Sequence, residues 1–65
     1  MKITVNGAVR ETQARTLAAL LEELGHGGAK VATALNEGFV PAGMRVETPL
    51  HDGDRVEIVT PRQGG

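Results

Sequence analysis

The sequence predicts an α+β domain in which one amphipathic helix lies across a small sheet. Three observations carry this. Apolar and polar residues alternate over several short stretches, apolar residues recur at helical spacing over one stretch, and turn-forming residues stand between them. At 65 residues the chain forms one domain. It has no Cys, so no disulfide framework, thiol nucleophile or thiolate zinc site is open to it. Phe39 is its single Phe, Tyr or Trp, so the core has to be built from Leu, Val, Ile and Ala.

Residues 2–6, KITVN, alternate, with Ile3 and Val5 on one side and Lys2, Thr4 and Asn6 on the other. That is the period of a half-buried strand. Asn6-Gly7 is a strong hairpin signal, because both residue types tolerate positive φ. The returning strand, roughly 8–12, is expected at an edge, since Val9 shares its face with Glu11. Residues 16–24, TLAALLEEL, change period: Leu17, Leu20, Leu21 and Leu24 form one helical stripe. Thr16 suits the N-cap and Gly25 the left-handed residue that ends the helix. The loop 25–28, GHGG, follows a helix and lacks the Lys-Ser/Thr of a nucleotide-binding loop, so it reads as a cap and a flexible connection.

Residues 31–35, VATAL, predict a third strand, 36–38, NEG, a turn, and Phe39-Val40 a brief fourth strand. Residues 41–50 read as irregular, broken by Pro41 and Gly43, with Met44, Val46 and Leu50 available to fill the core. Asp52-Gly53 signals a turn. Residues 55–60, RVEIVT, form the last strand with Val56 and Ile58 inward, and Pro61 stops it. The helix and the sheet each have one apolar face, so they must cover each other.

Composition excludes several function classes. The formal net charge is -1 and the seven Lys and Arg form no run. With one aromatic ring there is little to stack on bases, so nucleic-acid binding is not expected. The opening MKITVNG is too poor in apolar residues for a signal peptide, and no stretch approaches the ~20 apolar residues of a membrane span. A cytoplasmic protein is expected. His26 and His51 have no partner at metal-ligand spacing, and the DGD of residues 52–54 lacks the further oxygen ligands of a calcium loop. There is no Ser, and no Thr stands in a nucleophile setting. No catalytic residue, metal or bound cofactor is therefore expected, and the chain does not read as an enzyme.

Two features remain. A single helix covers one side of the sheet, leaving Arg55, Glu57 and Val59 of the last strand and Ala32 and Ala34 of the third on the other side. This is either ordinary surface or, through Val59, Ala32 and Ala34, a docking patch. The other feature is PRQGG, residues 61–65, beyond a domain of residues 1–60. Either it is a frayed end, or the carboxylate of Gly65 is the working group. Gly64-Gly65 can thread a narrow channel in any φ/ψ. Five residues from Pro61 reach about 16 Å when extended, enough to enter a partner's cleft. A carboxylate donates its acyl group only after activation, for instance as an adenylate, which requires another protein's active site.

The chain resembles the ThiS family of sulfur carriers over its whole length. MKITVNG and TLAALLEELG are similar to that family's first strand and helix, ALNEGFVP and LHDGDRVEIV to two internal segments, and QGG to its usual ending. The resemblance implies a ubiquitin-like β-grasp with a mixed sheet of four to five strands on one main helix. It implies a carrier rather than an enzyme. A ubiquitin-activating-like adenylyltransferase would use ATP and Mg to adenylate Gly65, and a sulfur donor protein would displace AMP to leave a thiocarboxylate. Thiazole synthase would then take the sulfur for the thiazole of thiamine. Gly64 and Gly65 carry over directly and Gln63 matches a common preceding residue; Pro61-Arg62 departs from the more apolar tails of relatives. With partners implied, the outer face becomes the expected docking surface. Two other readings share features: a carrier like the small subunit of molybdopterin synthase, whose chains are longer, and a ubiquitin-like interaction or conjugation module.

Overall fold

The computed structural model describes residues 1–27 and 30–61. The strands are β1 (Lys2–Val5), β2 (Ala8–Glu11), β3 (Ala32–Leu35), β4 (Gly38–Val40) and β5 (Arg55–Val59), and the helix is α1 (Leu17–Glu23). They form one mixed sheet in the order β2-β1-β5-β3-β4. β1 pairs antiparallel with β2, and β3 antiparallel with β4. β5 lies between the two hairpins, parallel to β1 and antiparallel to β3. The last strand in the chain is thus the central strand of the sheet.

The helical stripe does what its spacing predicts. Leu17, Leu20 and Leu21 are buried against Ile3, Val40, Leu50, Val56 and Ile58, with Leu24, Val5, Val31 and Leu35 packed around them. Burial of each large side chain contributes about 1.5–3 kcal/mol. The Thr16 hydroxyl accepts from the Ala19 N–H at 3.1 Å, which caps the helix. Gly25 takes φ +85° just beyond the C-cap, Leu24. Gly28, the last residue of the GHGG loop, lies outside the described residues.

The two hairpin turns hold β5 as well as turning the chain. Asn6 stands at φ 51° and Gly7 at φ 85°, the pair of left-handed residues that Asn-Gly predicts. In that conformation the Asn6 amide reaches across to β5: its Nδ2 donates to the Ile58 carbonyl at 3.1 Å, and its Oδ1 accepts from the Ile58 N–H at 2.8 Å. One side chain thereby extends the β1 ladder after the backbone has turned away. Asn36, at φ 50°, does the same from the other hairpin. Its N–H donates to the Arg55 carbonyl at 2.7 Å, and its Oδ1 accepts from the Arg55 N–H at 2.9 Å. Glu37, rather than Gly38, takes the second left-handed position at φ 74°, and Gly38 opens β4.

The DGD turn fastens the start of β5 to the start of β1. Asp52 Oδ1 accepts from the Lys2 N–H at 2.7 Å, the Gly53 N–H donates to the Lys2 carbonyl at 2.7 Å, and the Thr4 N–H donates to the Asp54 carbonyl at 3.0 Å. The Asp54 carboxylate accepts from the His51 N–H at 2.8 Å and from Asn36 Nδ2 at 3.0 Å. Burial acts to raise its pKa, but the hydrogen bonds from Asn36 and His51 and the nearby His51 charge outweigh it, and the carboxyl sits below its ordinary 3.8.

Residues 41–50 correct the sequence reading. Ala42–Glu47 is a 3₁₀ helix rather than an irregular stretch, and Met44 and Val46 are 49% and 67% exposed instead of filling the core; Leu50 is buried as expected. The cause is Arg45. Its Nη2 donates to the Val31 carbonyl at 2.6 Å and its Nε to Thr33 Oγ1 at 3.0 Å, while Thr33 Oγ1 donates to the Val40 carbonyl at 2.8 Å. With Arg45 turned toward β3, its neighbours 44 and 46 point away. The last strand also ends one residue early, at Val59, with Thr60 and Pro61 beyond it.

Two outcomes are expected. Asn6→Gly keeps the left-handed freedom of the turn and removes only the amide, so it should lower unfolding free energy by about 1–2 kcal/mol in urea titration; unchanged stability would mean that the side chain contributes nothing to holding β5. Because the Asp54 carboxyl binds its proton more weakly when folded, its stabilisation is present above the ordinary carboxylate value and is lost as pH falls through the lowered one. Thermal melts of Asp54→Asn should therefore depend less on pH than the parent at and below about pH 4.

Candidate functional site

The sheet's uncovered face is built by the register. Val59 pairs with Ala32 and Glu57 with Ala34 across β5 and β3, and Phe39 stands opposite Ala34 on β4. Side chains alternate along a strand, so with Val56 and Ile58 buried under α1, Arg55, Glu57 and Val59 emerge on the far side. Val59 is 64% exposed and Phe39 72%. Ala32 is exposed and Ala34 half-buried. Together with Glu57 these side chains line one shallow depression. A second depression beside it is lined by Lys30, Val31, Ala32, Val59 and Pro61. The face therefore runs from Phe39 on the edge strand to the point where the chain leaves the sheet.

The residues singled out by sequence divide accordingly. Val59, Ala32 and Ala34 come together on one face, and Pro61 borders it. Arg62, Gln63, Gly64 and Gly65 lie outside the described residues. The sequence reading missed Phe39 as part of this face, assigning it only to a brief apolar strand. Its parity held the signal: Val40 is inward, at 9% exposure, so its neighbour on a strand must point outward. An aromatic ring in that position on an edge strand is the largest apolar group on the open face.

No other chemistry gathers elsewhere among the described residues. No group of three His, Cys, Asp or Glu could hold a metal ion. His51 Nδ1 lies 3.9 Å from Asp54 Oδ2, and that pair belongs to the turn that starts β5. Among the described residues no helix is long and apolar enough to cross a membrane. What the described residues present is a folded base, an open apolar sheet face, and a chain leaving from the end of its central strand.

A mixed five-stranded sheet crossed by one helix, with the central strand last in the chain, defines a ubiquitin-like β-grasp domain. Comparison with known proteins gives the family. A family model described as "ThiS family" matches residues 3–65. The sulfur carrier protein ThiS of Thermus thermophilus is 43% identical over 65 residues, covering 97% of this chain and 98% of that protein. A thiazole synthase of Paramagnetospirillum magneticum is 41% identical over 66 residues, and the whole of this chain spans 20% of that relative's length. The crystal structure of a thiamine biosynthesis protein (ThiS) from Geobacter metallireducens superposes with a TM-score of 0.82 at 30% identity over all of both chains. The chain belongs to the ThiS family.

Proposed function

We infer that this chain is a sulfur carrier of thiamine biosynthesis, which holds sulfur as a thiocarboxylate on Gly65. The observation that carries the reading is the family match, which runs to Gly65 and is accompanied by 43% identity to a sulfur carrier protein of nearly the same length. The domain of residues 1–60 is then the part that partners recognise, and Pro61, Arg62, Gln63 and Gly64 form the arm that carries Gly65 into their active sites.

The chemistry requires a partner. A Gly65 carboxylate oxygen attacks the α-phosphorus of ATP in a ubiquitin-activating-like adenylyltransferase, and pyrophosphate leaves. ATP and Mg belong to that enzyme, and the carrier itself binds no cofactor. Hydrosulfide released from a sulfur donor protein then attacks the acyl carbon, the acyl–phosphate bond breaks, AMP leaves, and the thiocarboxylate remains. Thiazole synthase consumes it. Glycine suits this role because its lack of a side chain lets the acyl carbon lie deep in a narrow channel. Tethering the sulfur to a folded domain replaces diffusion of free sulfide by docking, and so raises the local concentration of the nucleophile.

The open sheet face is the docking surface in this reading, with Phe39 and Val59 as its exposed apolar side chains and Ala32 and Ala34 as the flat floor between them. An aromatic anchor surrounded by small residues is a common composition for an interface centre. The face adjoins Pro61, so a partner seated on it lies where the arm begins.

The test is the intact mass of the protein after incubation with the adenylyltransferase, ATP, Mg and a sulfur source. A gain of about 16 Da, sulfur for oxygen at the acyl carbon, is expected. Deletion of Gly65 should abolish the gain and leave the thermal melt unchanged, because the arm follows the last strand. An unchanged mass with the cognate enzyme would contradict the reading.

A further inference from the structure

We propose that Glu57 selects the carrier's partner by requiring a cationic side chain in the facing surface of the thiazole synthase. The proposal rests on the carrier reading above and adds the charge that the docking partner must bring. Glu57 is exposed on the central strand, opposite Ala34, and shares its depression with Ala32, Phe39 and Val59. It is the one charged side chain among these apolar ones.

Among the described residues no ion pair answers the charge of Glu57. Arg55, the next residue on the same face of β5, has its Nη2 3.1 Å from Glu37 Oε2. Lys30 borders the neighbouring depression, and among the described residues no ion pair or hydrogen bond joins it to Glu57. On the other flank Asn6 has its amide engaged with Ile58. In the free protein Glu57 is hydrated, so its position costs little.

Docking changes that. Glu57 stands across Ala34 from Phe39 and next to Val59 along β5, so a partner seated in the depression that these side chains line together also covers Glu57. A carboxylate removed from water without a counter-charge is strongly unfavourable. An Arg or Lys set among apolar side chains on the partner meets that requirement, whereas a neutral or acidic surface is rejected. The carboxylate thus adds specificity to a face whose apolar residues would adhere to many surfaces. The occupant is the thiazole synthase because a protein of that name carries a segment 41% identical to the whole of this chain, so carrier and synthase surfaces occur together in one polypeptide.

The experiment is titration calorimetry of the intact carrier with the thiazole synthase, at about 50 and about 500 mM salt. The parent should bind, and more tightly at low salt. Glu57→Arg should weaken binding at low salt by about tenfold or more, and Glu57→Gln should weaken it less while flattening the salt dependence. Glu47→Arg, on the 3₁₀ helix, should bind as the parent does, and all three variants should keep the parental thermal melt. Binding of Glu57→Arg at parental strength with parental salt dependence would overturn the proposal. A parent that gains the 16 Da of the mass assay yet does not bind the synthase would also overturn it, while leaving the carrier reading standing. A parent that neither gains mass nor binds would remove both.

Discussion

β5 is held from both sides, and the rest of the molecule depends on that. It is the central strand of the sheet and the last element before the arm. Its ladders to β1 and β3 are extended by two side chains, Asn6 at Ile58 and Asn36 at Arg55, each from a left-handed residue in a hairpin turn. The DGD turn adds the hold on Lys2 and Thr4. These devices keep Val56 and Ile58 against the helix, and the alternation of a strand then places Glu57 and Val59 on the far side. One set of hydrogen bonds thus fixes both the core and the open face.

In the proposed reading this arrangement separates recognition from chemistry. Among the described residues no group of three His, Cys, Asp or Glu could hold a metal ion, and the depression on the open face that Ala32, Ala34, Phe39 and Val59 line has Glu57 as its one carboxylate. In that reading the reacting group is the Gly65 carboxyl, and the end of β5 is where the chain departs toward it. Arg45 plays a supporting part at the same end of the sheet: by bonding Val31 and Thr33 it secures the connection from β4 toward β5 and holds the strand that pairs with Val59.

Much of this was legible in the residues because it rests on periodicity. The Leu17, Leu20, Leu21, Leu24 stripe announced the helix, the alternation in KITV and RVEIV announced two strands, and Asn6-Gly7 announced a hairpin. Val59, Ala32 and Ala34 were assigned to one face by parity, and the register places them there. What escaped depends on single long-range contacts that no local pattern encodes. Asn36 and Asn6 look like turn residues, and their amides reveal a second role only once β5 lies between the hairpins. Met44 and Val46 look like core residues in a segment without period; Arg45 decides otherwise through bonds to Val31 and Thr33. Phe39 was the avoidable omission, since the inward position of Val40 already implies its outward one.

The central claim is that the folded domain is what partners recognise and the arm is what reacts. Its most direct test compares the intact carrier with a synthetic peptide of residues 60–65 as substrates of the adenylyltransferase, scored by pyrophosphate release. If recognition resides in the domain, the peptide should show kcat/KM lower by about a thousandfold or more, because it forfeits the binding energy of the remote surface. A peptide adenylated as efficiently as the intact carrier would contradict the account.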